Sequence, residues 1–117
     1  MAVKRVVANI AADDVAAAKA FYGDVLDMRV TMDFGWIVTF AAEASTTPQL
    51  SVAREGGSET LVPDLSIEVD NLDEVYRRAV AGGFAIAYGP VTEPWGVRRF
   101  YVRDPFGRLV NVLAHAQ

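Results

Sequence analysis

One order of elements is written twice along this chain, and it limits the folds open to it. The β-branched run Val3–Ile10 predicts a strand. Asp13 and Asp14 then supply carboxylates that cap a first helical turn. Val15, Ala18, Phe21, Tyr22, Val25 and Leu26 recur at spacings of three and four, predicting a helix over about Asp14–Leu26. Strands are expected at Met28–Asp33, Trp36–Ala42 and Gln49–Arg54, with Phe34-Gly35 turning between the first two. Glu55-Gly56-Gly57-Ser58-Glu59 reads as a flexible polar linker. The order then returns: a strand alternating through Leu65, Ile67 and Val69, and an Asp70-Asn71 cap. A helix with Leu72, Val75, Tyr76 and Ala79 on one face follows, ended by Gly82-Gly83. Three strands complete it, at Phe84–Tyr88, Val97–Arg103 and Leu109–Ala114. Asp104-Pro105-Phe106-Gly107 suits a type I turn between the last two.

Each half is too short to close a core, so the two must pool their strands. The expectation is an α+β fold in one domain, residues 1–117. It has a first module of about 3–55, a linker at 56–62 and a second module of about 63–115. Alternation turns Asp64, Ser66 and Glu68 away from the helices, with Arg99, Tyr101 and Arg103, and with Leu109, Asn111, Leu113 and His115. A face mixing polar and apolar groups in this way suits the lining of a pocket; a plain solvent face is the alternative.

Composition removes several chemistries. The chain has no cysteine, which excludes disulfides, zinc–thiolate sites and cysteine nucleophiles, and fits a cytoplasmic protein. It has one histidine, His115, so no site built on two histidines can form within one chain. A net charge of −4 argues against nucleic acid as a partner. No apolar run reaches the roughly 18 residues of a membrane span. Met1–Arg5 has no apolar stretch behind its charges, so no secretory signal is expected.

Three stretches carry a family resemblance. They are Ala20-Phe21-Tyr22-Gly23-Asp24-Val25-Leu26-Asp27-Met28, preceded by Asp14; Gly89-Pro90 through Pro94-Trp95-Gly96; and Phe100-Tyr101-Val102-Arg103-Asp104-Pro105-Phe106-Gly107-Arg108-Leu109-Val110. The last is the most specific. Together they resemble the vicinal oxygen chelate superfamily of glyoxalase I, extradiol dioxygenases and bleomycin-resistance proteins, over essentially the whole chain. The resemblance implies paired βαβββ modules forming a curved, mixed eight-stranded sheet around a ligand cavity, with helices on one face. It also implies a homodimer whose cavities use both chains.

Metal-dependent members of that superfamily carry histidines and carboxylates at four strand positions. Matched position by position, this chain has Val7, Ser51, Asp64 and Asn111 there. Valine has no lone pair, and serine and asparagine are weak neutral ligands, so no bound metal and no cofactor are expected. The chain looks most like the metal-free, bleomycin-resistance-like branch. The expected function is binding a small molecule, an aromatic or cationic antibiotic-like ligand, with no nucleic-acid or membrane partner. An enzyme of the lyase, isomerase or dioxygenase type with atypical or no metal ligands is the alternative, and a purely dimerising or regulatory module is another.

The candidate ligand-binding residues are Trp36, Asp64, Ser66, Glu68, Trp95, Arg99, Tyr101 and Asn111. Trp36, Trp95 and Tyr101 offer rings for stacking. Asp64, Ser66 and Glu68 form an acidic row that would attract a cation. Arg99 offers a guanidinium fork to an anion, or pairs with those acids. Asp104 reads as a turn residue and His115 as a surface residue near the end.

Overall fold

The structure is a computed structural model that describes residues 7–43 and 51–115. Asp14 caps the first helical stretch as expected, its side chain accepting the Ala16 N–H at 3.1 Å. The stretch is not a uniform α-helix. A 3-10 turn at Val15–Ala17 runs into a π-helical segment at Lys19–Val25. Phe21, Tyr22 and Val25 are its buried side chains. It ends where Asp27 takes φ +59° and the Met28 N–H reaches back to the Tyr22 carbonyl at 2.9 Å, which ties off otherwise orphaned carbonyls.

Strand β1, Arg29–Asp33, pairs antiparallel with β2, Val38–Ala41. Strand β3, Leu65–Glu68, leads to the one regular α-helix among the described residues, α1, Leu72–Ala81. Asn71 caps α1 by accepting the Glu74 N–H at 3.2 Å, and Gly83 supplies the left-handed residue beyond its end. Strands β4, Ile86–Thr92, β5, Val97–Arg103, and β6, Leu109–His115, complete the chain. The sheet order is β3-β6-β5-β4, with β3 parallel to β6 and the other pairs antiparallel.

The described residues thus hold six strands in two sheets, a mixed α+β fold, where eight strands in one sheet were expected. Of the expected first strand, residues 7–10 belong to no strand and the rest lies outside the described residues. The same holds for Gln49–Arg54, where residues 51–54 are in no strand and Gln49 and Leu50 lie outside. Strand β4 continues past its expected end at Tyr88 because Gly89 takes φ +75° in a bulge. A Cβ there would lie 2.6 Å from the Arg99 carbonyl oxygen, so the bulge demands glycine.

Both halves contribute to one core. Phe21, Tyr22 and Val25 meet Leu72 and Ala79 of α1 and Phe100, Val102, Val110 and Val112 of the larger sheet. Phe21 sits edge-on to Phe84 with centroids 5.0 Å apart, and Tyr76 edge-on to Phe100 at 5.3 Å. Each such pair adds about 0.5–1.5 kcal/mol beyond burial. The Tyr22 hydroxyl donates to Asp104 Oδ2 at 2.8 Å in the interior. Asp104 Oδ1 accepts the Phe106 and Arg108 N–H groups, both at 2.8 Å. Asp104 therefore holds the turn, as its position in the sequence implied. Burial, then the Asp104 carboxylate, push the Tyr22 hydroxyl pKa well above its usual range.

Candidate functional site

With Phe100, Val102, Val110 and Val112 committed to the core, alternation turns Arg99, Tyr101 and Asn111 to the other face of the larger sheet. Glu93, Trp95 and Arg99 meet at one end of that face. Glu93 opens the β4–β5 turn and Trp95 rides on it. Arg99 and Glu93 form an ion pair, Nη2 to Oε2 at 2.6 Å and Nε to Oε2 at 2.8 Å, and are only 4% and 5% exposed. Three rings box the guanidinium: Trp95 and Tyr101 at 5.0 Å and Tyr88 at 5.4 Å from Arg99 Cζ. A cation among such faces gains about 2 kcal/mol per ring once desolvated.

The remaining guanidinium donors go to the segment Gly56–Leu61. Nη1 donates to the Gly56 carbonyl at 2.8 Å and to the Tyr101 hydroxyl at 3.1 Å, and Nη2 to the Gly57 carbonyl at 3.3 Å. The Tyr101 hydroxyl also meets Thr60 Oγ1 at 2.9 Å and the Leu61 carbonyl at 3.2 Å. Ser58 donates to Glu93 Oε1 at 3.0 Å, and Tyr88 to Oε2 at 3.1 Å. The segment expected to be a flexible linker is therefore a strap tied across the sheet. It holds two non-glycine residues in left-handed conformation, Ser58 at φ +50° and Glu59 at φ +62°. That geometry costs about 1–2 kcal/mol per residue, so the contacts to Arg99, Tyr101 and Glu93 must offset it. Burial works to raise the Glu93 pKa. Hydrogen bonds from Ser58, Arg99 and Tyr88 and the Arg99 charge outweigh it, and the net direction is down.

A cavity of about 250 Å³ lies beside the strap, between Glu59, Thr60 and Leu61 and the sheet residues Ala87, Tyr88, Tyr101, Arg103 and Leu109. A larger depression of about 430 Å³ lies elsewhere, around Asp13, Asp14, Pro105 and Phe106. It contains none of the groups just described.

The sequence candidates divide. Trp95, Arg99 and Tyr101 come together. Ser66 and Asn111 share the same face, the Asn111 amide donating to Ser66 Oγ at 3.1 Å. Asn111 Oδ1 is buried and finds no partner among the described residues. Asp64 spends Oδ2 on the Leu109 N–H at 2.9 Å and so fastens β3 to β6. Glu68 pairs with His115 at 2.9 Å on the exposed end of the sheet. Trp36 lies in the β1–β2 connection with 76% of its surface exposed. Arg99 does not pair with the acidic row, because Glu93 is its partner. Sequence reasoning missed Glu93, Tyr88 and the strap. An arginine at a position that alternation turns off the core, two residues from a tyrosine, was the available signal that a carboxylate must come from elsewhere.

The glyoxalase family profile, described as the Glyoxalase/Bleomycin resistance protein/Dioxygenase superfamily, matches residues 4–112. The chain belongs to this superfamily. No curated protein matches the chain. Among solved structures, TioX from Micromonospora sp. ML1 is 22% identical with a TM-score of 0.65, covering 97% of this chain and 98% of its own. A lactoylglutathione lyase from Agrobacterium tumefaciens is 25% identical with a TM-score of 0.62, covering 88% and 87%. A glyoxalase/bleomycin resistance protein/dioxygenase from Nocardioides is 20% identical with a TM-score of 0.55, covering 89% and 78%.

The metal that some superfamily members use does not fit the side chains here. Val7 and Ser51 are exposed and outside any strand. Asp64 Oδ2 is taken up by the Leu109 N–H, and Asn111, whose Oδ1 has no partner among the described residues, offers only a neutral amide oxygen, a weak ligand. Among the described residues no three His, Cys, Asp or Glu side chains group closely enough to hold an ion. None of the described helices is long and apolar enough to cross a membrane.

Proposed function

We propose that this superfamily member is a metal-free small-molecule-binding protein. It holds a flat aromatic or cationic, antibiotic-like ligand on the sheet face that carries Trp95, Arg99 and Tyr101. The observation that carries the reading is the aromatic-walled Arg99–Glu93 pair beside a cavity of about 250 Å³, combined with a donor set unsuited to a cation. Trp95 is 53% exposed and offers its indole to a ligand. Asp64, Ser66 and Glu68 line the β3 edge of the same sheet and would draw a cationic substituent. The buried Asn111 Oδ1 offers an acceptor to a ligand N–H or O–H. Two ring contacts plus burial suffice for micromolar affinity, about −8 kcal/mol. The protein acts in the cytoplasm as a homodimer. Pairing between copies would complete the cavity and the eight-stranded curved sheet.

The test is a tryptophan-fluorescence titration against planar aromatic, planar cationic and glycopeptide compounds, repeated with Trp95→Ala and Asp64→Asn. Binding weakened in either variant is the expected result, and binding unchanged in both rejects this site. Elemental analysis of protein purified without a metal-affinity tag should find no stoichiometric metal; near-stoichiometric zinc, iron, nickel or manganese overturns the metal-free reading. The lactoylglutathione lyase likeness supports a second reading, a superfamily enzyme. Turnover of any compound in the panel would establish it. Glu93 would be a poor general base in such an enzyme, because its pKa is held down.

A further inference from the structure

The strap Gly56–Leu61 covers Arg99 and Tyr101 with two successive peptide carbonyls, and their chemistry indicates what else fits there. Arg99 Nη1 and Nη2 point at the Gly56 and Gly57 oxygens at 2.8 and 3.3 Å, and the Tyr101 hydroxyl stands beside the first at 3.4 Å. The guanidinium already carries a countercharge, since Glu93 is paired with it at 2.6 Å in the interior. The acceptors it still seeks are therefore neutral. A carboxylate in their place would add a second negative charge beside Glu93 with no cation to match it.

We propose that Arg99 and Tyr101 form a receptor for a neutral aromatic molecule bearing two successive amide carbonyl groups, with the strap as an internal competitor. This deepens the reading above and rests on it. Four observations support it. The strap is held by hydrogen bonds to side chains and by its own turn, and it belongs to neither sheet. Its residues Gly57, Ser58 and Glu59 have three consecutive positive φ angles, so its closed form depends on the contacts it makes. Ser58 and Glu59 are exposed, so the strap can lift without dragging core residues. The cavity beside it, walled by Tyr88, Tyr101 and Leu109, takes the body of a ligand whose carbonyls reach Arg99.

The competition is testable because loosening the strap must tighten binding. Apparent affinity scales with the fraction of molecules whose strap is open. Gly56→Ala adds one methyl group, which would overlap the Leu61 carbonyl oxygen and the Tyr101 hydroxyl, and it removes no hydrogen-bonding group. Thr60→Val removes the hydroxyl that bonds Gly57 O at 2.7 Å and Tyr101 at 2.9 Å, and it is a second route to the same loosening. The probes are N-acetylphenylalanine amide, neutral with two successive carbonyls, and N-acetylphenylalanine, its anionic counterpart.

Calorimetric titration should show the amide binding at least tenfold more tightly to Gly56→Ala or Thr60→Val than to the unaltered chain. It should also bind at least tenfold more tightly than the acid. In the unaltered chain, saturating amide should speed hydrogen exchange at Thr60, whose N–H donates to Gly57 O at 2.9 Å. Arg99→Lys, which cannot fork, should abolish the gain. Equal affinity in all three proteins with Thr60 exchange unchanged overturns the competition and leaves small-molecule binding standing. Preference for the acid overturns the assignment of neutral carbonyls. If neither probe binds while the aromatic panel still quenches Trp95, this inference falls alone. If the panel fails too, it falls together with the proposed function.

Discussion

Replacing Glu93 by glutamine tests the Arg99 cluster as a unit of stability. Glutamine keeps the volume and one acceptor oxygen, so packing is preserved. Arg99, 4% exposed, loses its countercharge. Stranding a buried charge in this way costs about 3–5 kcal/mol, against a total stability of about 5–15 kcal/mol for a domain of ordinary size. With a urea m-value of about 2 kcal/mol/M, the midpoint should fall by about 1.5–2.5 M at neutral pH. The double variant Glu93→Leu/Arg99→Met, with neither charge, should recover part of the loss, because the two sites are coupled. The sign of the pH dependence follows from the lowered pKa of Glu93. Its contribution is present above its ordinary value near 4.5 and is lost as pH falls through the lower folded value. The gap between wild type and Glu93→Gln should therefore begin to narrow as the pH drops below about 4.5. A loss under about 1 kcal/mol at neutral pH, or a gap constant down to pH 3, would refute the account.

Three further outcomes are expected. Tyr22→Phe removes the donor to Asp104 Oδ2 and should cost about 1.5–3 kcal/mol in urea unfolding; a cycle with Asp104→Asn should show coupling above about 1 kcal/mol. Gly57→Ala places a Cβ at φ +85° and 2.7 Å from the Trp95 ring, so it should destabilise the strap by about 1–2 kcal/mol and shift the tryptophan emission. Light scattering at micromolar concentration should give about twice 12.7 kDa, and a clean monomer would reject the shared cavity.

Local rules made much of the second half legible. Leu65 and Ile67 face the core while Ser66 and Glu68 do not, because a strand's period of two leaves no other choice. Asp14 and Asn71 cap the helical stretches they precede, and Asp104 anchors its turn, since each bonds to an N–H within a few residues. The cluster was not legible in the same way. Ser58 meets Glu93 across 35 positions and Arg99 meets Gly56 across 43, and no local pattern encodes such a distance. A glycine-rich polar run has the composition of a free linker, and it is the long-range contacts to Arg99, Tyr101 and Glu93 that seat it on the sheet. The π-helical widening at Lys19–Val25 was also invisible, because the apolar spacing there fits an α-helix equally well.

The hydrogen bond from Tyr22 to Asp104 joins positions 82 residues apart, and Leu65 finds its parallel partner only at Val110. On a ribosome adding about 5–20 residues per second, roughly 4–16 s separate the synthesis of Tyr22 from that of its acceptor. During that wait Phe21, Val25 and Phe40 have emerged, while Val102, Val110 and Val112, against which they pack, do not yet exist. The first half therefore enters the cell as an apolar helix and hairpin without the sheet that covers them. Its yield depends on how quickly translation delivers the second half, and on whatever shields those side chains until then.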